Sequence, residues 1–172
     1  MAVYRLKEQR LLDLMRLLLK NSKRSDRDLA KEFGVSQPTI TRMRGKLEKE
    51  GYIETYTIVP DFTKLGYNML VFTFVKMKYY PTQEEALQVQ REAMDWVRKR
   101  PNVIFAADGQ GLGGKDVVIV SFHKDYSKYT DFIRSFALDW GRIVGTFESF
   151  TVDVASKFKM KALDLKYLAD DR

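Results

Sequence analysis

Gln37, Thr41, Arg42 and Arg44 carry side chains suited to reading another molecule, and they stand together in the segment SQPTITRMRGKLEKEG. Glutamine and arginine offer paired hydrogen-bonding groups that match base edges in the major groove of DNA, and threonine can bond an edge or touch a thymine methyl. Projected on a helix at about 100° per residue, Pro38, Thr41, Arg42 and Gly45 lie on one side, flanked by Gln37, Arg44, Lys46 and Lys49. Ile40, Met43 and Leu47 recur at i, i+3 and i+7 on the other side, as a core-facing stripe does. Glu48 and Glu50 come late, away from the base-reading end. Gly45 costs about 1 kcal/mol in a helix interior relative to Ala, which close approach to a phosphate or backbone would explain. Ser36, Gln37, Pro38, Thr39, Thr41, Arg42, Arg44, Lys46 and Lys49 are therefore the expected DNA contacts. The bland alternative is a solvated helix with an ordinary mix of charges.

The elements that must hold these residues are legible around them. Ser25 is an N-cap with Asp28 in the capping-box position, and Leu29, Ala30 and Phe33 make a short apolar stripe. Gly34 ends that helix, since glycine accepts the left-handed conformation that closes one. Ser36 stands at the next N-cap, and Pro38 is tolerated in the first turn, where backbone N–H groups lack helical partners. Gly51 stops the second helix. Two helices across a short glycine-containing turn form a helix-turn-helix, whose second helix enters the major groove. Tyr52 to Val59 alternates and reads as a strand. Upstream, Leu11, Leu14, Met15 and Leu18 form a helical stripe, and Leu12, Leu17 and Leu19 widen it, so this first helix is expected to be buried on more than one side.

The 172 residues suffice for one ordinary domain or two small ones. The net charge is +7, with +5 of it in residues 1–64 (fourteen Lys/Arg, nine Asp/Glu) and +2 in the rest (sixteen against fourteen). The basic excess thus follows the expected DNA-binding segment. With no cysteine, disulfides, thiol chemistry and Cys-based zinc sites are excluded. Charges run through the N-terminal apolar pattern, unlike a signal peptide or a membrane span, and a cytoplasmic protein is expected. His123 is the one histidine, and no acid/base pair or metal-ligand spacing accompanies it, so no catalytic residue, metal or cofactor is expected.

A boundary falls near Pro60 to Asn68. Beyond it come a strand over Met69–Tyr79, a helix from Thr82 to about Arg100, strands over Asn102–Ala107 and Asp116–Phe122, a helix from Asp125 to about Trp140, and a last strand within Arg142–Val154 with Gly145 a bulge candidate. The order βαββαβ is the split-βαβ or ferredoxin-like arrangement. The fold class is α+β: a winged helix-turn-helix domain over residues 1–60, a linker over 61–68, a ferredoxin-like domain over 69–156 and a tail over 157–172. Phe72, Phe74, Val118 and Val120 imply that both sheet faces are partly apolar, which points to sheet-to-sheet dimerisation. In the tail, Leu163, Leu165, Tyr167 and Leu168 suggest a short amphipathic helix, with a disordered tail as the alternative.

The stretch DLAKEFGVSQPTITRMRGKLEKEGYIETYTIVPDFTKLGY, followed by βαββαβ, resembles the Lrp/AsnC transcription regulators. The resemblance is close in wording over residues 28–67 and a matter of pattern afterwards, across about residues 5–158. It implies a cytoplasmic regulator that is a dimer or an assembly of dimers, with an effector site between the C-terminal domains. The glycine-rich GQGLGG matches G-x-G-x-x-G literally, but it leads into a strand and not a helix, which disfavours a dinucleotide site. In the resembling family this turn carries a glycine and an acid beside the effector. Asp108, Gly109, Gly111 and Asp116 are the matching candidates here, with Lys115 adding charge and an amino acid as the first ligand class to test. A plain hairpin is the alternative. Competing readings are a constitutive or architectural DNA-binding protein, and an enzyme or ligand-binding module built on the ferredoxin-like domain.

Overall fold

The computed structural model describes residues 2–78 and 82–171, with the side chains of the first helix from Glu8 onward. The chain forms two compact units, Met1–Val59 with Met160–Arg172, and Pro60–Lys159.

In the first unit, α1 (Ala2–Lys20), α2 (Asp26–Phe33) and α3 (Gln37–Lys49) enclose a small core of Leu11, Leu14, Leu18, Leu29, Ala30, Ile40 and Leu47. The Ser25 hydroxyl caps α2 by accepting from the Asp28 amide at 3.1 Å, and Gly34 closes it at φ 62°. Ser36 occupies the N-cap of α3 but does not cap it through its side chain; its hydroxyl lies 2.8 Å from that of Thr39. The reason is local: Pro38 has no N–H to offer, and the Thr39 amide donates to the Ser36 carbonyl at 3.0 Å. The expected strand at Tyr52–Val59 is not formed. This segment is largely exposed, with Ile58 at 81%, and a strand exists only through a ladder with a neighbour, which the unit does not supply.

The C-terminal segment completes this unit. It forms only a short 3-10 helix, Lys166–Asp170, and not the longer amphipathic helix expected of the tail. The Asp164 carboxylate takes the Lys166 amide at 2.9 Å, a local bond that competes with helix formation. Leu163, Leu165 and Leu168 stay exposed, and Ala169 is the buried residue. The 3-10 helix packs on α1, and Lys20 pairs with Asp170 at 2.7 Å. Leu17 and Phe33, which pack at the edge of the helical core, also share a groove with Ala169. The leucine-rich first helix thus meets both the helical core and the C-terminal segment.

The second unit is β1 (Met69–Met77), α4 (Gln83–Arg98), β2 (Val103–Gly111), β3 (Lys115–His123), α5 (Tyr126–Trp140) and β4 (Val144–Asp153). The strands lie in the order β2-β3-β1-β4 with every pair antiparallel, the ferredoxin-like sheet. The expected end of β1 at Tyr79 lies outside the described residues. Lys76 faces Thr146 and Met77 faces Val144, so Gly145 is the extra residue of a bulge. Thr82 and Glu85 form a capping box on α4, and the Asp125 carboxylate caps α5. Val75, Ile119 and Val144 meet Trp96, Phe132 and Phe136 under the two helices. Met94 on α4 is half-exposed. Asp139 joins the helices by accepting from Trp96 Nε1 at 2.7 Å and from Arg100 at 3.0 Å, while the Arg100 guanidinium lies over the Trp96 ring.

The opposite sheet face carries a full cross-strand row, Phe105–Val120–Phe72–Phe150, read from the register of neighbouring strands. Phe150 is 65% and Phe105 53% exposed. At one end of this face Phe62 stacks on Phe122 with ring centroids 4.2 Å apart. No helix among the described residues is long and apolar enough to cross a membrane.

Candidate functional site

The apolar stripe of α3 fixes which residues can meet a partner. Ile40 and Leu47 are fully buried, so the opposite side faces outward, and Gln37, Pro38, Thr41, Arg42, Gly45, Lys46 and Lys49 are exposed on it. Arg42 and Lys49 make no ion pair with another described residue. Lys46 reaches Glu50 at 3.5 Å, a contact between two half-exposed groups that a phosphate can displace at little cost.

Two expected contacts are engaged by the protein itself. Thr41 Oγ1 donates to Asp26 Oδ2 at 2.7 Å, and Arg44 Nε donates to Asp26 Oδ1 at 3.0 Å. Arg44 also donates to the Arg24 carbonyl at 3.3 Å. The Tyr56 hydroxyl donates to Glu48 at 2.8 Å and lies in hydrogen-bonding reach of Arg44. Thr41's hydrogen bond, with Arg44 beside it, holds the Asp26 carboxyl below the usual carboxylate range despite some burial. Burial works against the Arg44 charge, but bonds to Tyr56 and Asp26 outweigh it and raise its pKa. Burial, with Glu48 as acceptor, pushes the Tyr56 phenol up against the opposing pull of Arg44. Neither Asp26 nor Tyr56 stands out in the sequence as part of a site. Only an acid opening one helix and a phenol just beyond the next hint at it.

The glycine-rich segment is a hairpin. Asp108, Gly109 and Gly111 belong to β2, which runs farther than its expected end at Ala107. Only Leu112, Gly113 and Gly114 form the turn, closed by the Gly114 amide on the Gly111 carbonyl at 3.0 Å. Leu112 and Gly113 have φ of 44° and 72°, the left-handed pair that a tight hairpin turn requires. A leucine there stores on the order of 1 kcal/mol of strain. Lys115 is buried to 9% exposure and its ammonium donates to Glu148 at 2.7 Å. Asp116 accepts from the Met77 amide at 2.7 Å, while Asp108 and Gly109 are exposed. The structure thus brings Lys115 and Asp116 to the turn end of the sheet with partners of their own. His123 is buried at the far end of β3, bonded to Ser121 at 2.9 Å and packed edge-on against Phe132 and Tyr129.

Residues 8–54 match the family of winged helix-turn-helix DNA-binding domains. An HTH-type transcriptional regulator of Pyrococcus abyssi is 33% identical over 88 residues, 51% of this chain and 58% of that one. The chain spans about half the length of the first curated relatives it matches. Among solved structures, a transcriptional regulator of Neisseria meningitidis in complex with L-Met superposes with a TM-score of 0.72 at 18% identity, covering 92% of this chain and 96% of that one. An AsnC family regulator of Agrobacterium tumefaciens gives 0.71 at 21% identity, covering 92% and 98%. The fold is that of the AsnC/Lrp regulators. In AsnC/Lrp terms, α2 and α3 are the helix-turn-helix, and the βαββαβ unit is the C-terminal domain.

Proposed function

We propose that this chain is a transcription regulator of the AsnC/Lrp type, acting in the cytoplasm as a homodimer or an assembly of dimers. It reads a specific DNA sequence through α3 and takes a small-molecule effector, an amino acid, at its C-terminal unit. The observation that carries the DNA reading is the outward face of α3. There Gln37, Arg42, Lys46 and Lys49 are exposed on a helix whose other side is locked into the core. Arg42 lies toward the base-reading end, while Lys46 and Lys49 lie nearer the last turn and meet phosphates. Arg42→Ala is expected to weaken binding to the preferred sequence by about 1–3 kcal/mol and leave random duplex nearly unaffected. Competition binding against both DNAs checks this. An unchanged ratio of specific to random affinity rejects base reading by Arg42.

Asp108, Gly109, Gly111, Lys115 and Asp116 are the proposed effector residues, and the L-Met held by the Neisseria regulator makes methionine the first ligand to try. One observation favours a second reading, a constitutive DNA-binding protein. Lys115 and Asp116 already have partners in Glu148 and the Met77 amide, so a ligand at these groups must displace or share them. Calorimetry against the twenty amino acids, with DNA affinity measured in their presence, separates the two.

A further inference from the structure

Asp26 spans one turn of α3. Its two carboxylate oxygens take the Thr41 hydroxyl at 2.7 Å and the Arg44 Nε at 3.0 Å, three residues apart on one side of the helix. Both charged groups are largely covered, with side-chain exposures of 18% for Arg44 and 19% for Asp26. From the other side Tyr56 donates to Glu48, one turn after Arg44, and meets Arg44 itself. The network therefore ties α3 to the first residue of α2 and to the extended segment that leaves α3 toward Pro60. That segment has no strand partner among the described residues of its unit; its start is held by the Tyr52 and Ile53 amides on the Leu47 carbonyl and by Ile53 on the core, and beyond that Tyr56 ties it to α3.

We propose that Asp26 and Tyr56 are positioning residues for base reading. Arg44 serves as the hub between them and does not contact DNA, and anything that holds or strains residues 52–59 reorients α3. This rests on the reading of α3 as the recognition helix. Base reading depends on side chains meeting edges within a few tenths of an ångström, whereas phosphate contacts tolerate a tilt. A shift of α3 on α2 therefore degrades sequence preference before it degrades general affinity.

The test uses the full chain, a duplex selected by the wild type from a random library, and a scrambled duplex, each titrated across a salt series. Asp26→Asn keeps the shape and removes the charge; Tyr56→Phe removes only the hydroxyl. Asp26→Asn is expected to lower the specific-to-scrambled ratio about tenfold and Tyr56→Phe a few-fold, with near-normal binding to the scrambled duplex. Arg44→Gln should lower the ratio and leave the salt slope unchanged. A slope shallower by about one in Arg44→Gln marks a direct phosphate contact and overturns the proposal. So does an unchanged ratio in all three variants with intact folds by circular dichroism. Amide exchange without DNA keeps this test separate from the functional reading. In Tyr56→Phe, exchange through Ile40–Lys49 should quicken while the sheet is unchanged. If the wild type prefers no sequence, the functional reading fails, and base positioning fails with it. Unaltered α3 exchange in Tyr56→Phe overturns the proposed hold of the segment on the helix.

Discussion

His123 shows how burial turns a residue with ordinary chemistry into a stability sensor. Its ring is 3% exposed, between Ser121, Tyr129 and Phe132. Desolvation depresses its pKa below the usual imidazole value, against a smaller opposing hydrogen bond at Lys128. Because the folded pKa lies below the unfolded one, the neutral ring favours folding and the proton favours unfolding. Stability is therefore complete above about pH 6.5 and falls as the pH drops below it, by at most about 1.4 kcal/mol per unit, until the folded pKa is reached. As the chain has one histidine, any imidazole contribution to this slope is that of His123. Urea unfolding at stepped pH checks it, and His123→Gln should flatten the curve in that window. The same scale explains the partial legibility of the DNA interface. Periodicity correctly put Thr41 and Arg44 away from the core of α3, but not that Asp26, fifteen and eighteen residues earlier, would take their hydrogens.

At the scale of elements, caps and turns were readable because they depend on residues a few positions apart. Ser25, Gly34, the helix start at Thr82 and the Gly145 bulge are of this kind. The C-terminal 3-10 helix is not. Its seat on α1 is made by Ala169, a residue with no signal of its own, against a helix at the other end of the chain. Ala169→Asp places a charge in that contact and is expected to destabilise the helical unit by about 1–2 kcal/mol. Amide exchange should rise along Leu11–Lys20 and stay unchanged in the sheet. Asp170→Asn should change stability by less than about 1 kcal/mol, because the Lys20–Asp170 pair is at the surface.

For the whole molecule, the sheet face opposite the helices is the largest question, since a row of Phe105, Val120, Phe72 and Phe150 is too apolar to leave in water. The proposed homodimer covers it with the same face of a second copy, a self-complementary arrangement. Phe150→Asp then puts two like charges into one interface. It is expected to weaken dimerisation by about 2–4 kcal/mol, giving a folded monomer at micromolar concentration in sedimentation. Phe150 is exposed in the single chain, so the substitution leaves the fold of each copy intact. Unchanged mass would move the dimer contact elsewhere.

By itself the sequence determined the order of elements, the helix-turn-helix, the antiparallel βαββαβ unit and the outward side of α3. Each follows from spacing within a single helix, strand or turn, where the chain's own geometry sets which residues are neighbours. Tertiary structure alone decided which outward groups remain available. Arg44 went to Asp26, Lys115 went to Glu148 thirty-three residues away, and the expected strand at Tyr52–Val59 stayed unpaired. The tail's one buried residue went to the first helix. Such pairings depend on how whole elements pack, because a polar group of either sign finds its partner across space, and no period in the sequence records the distance.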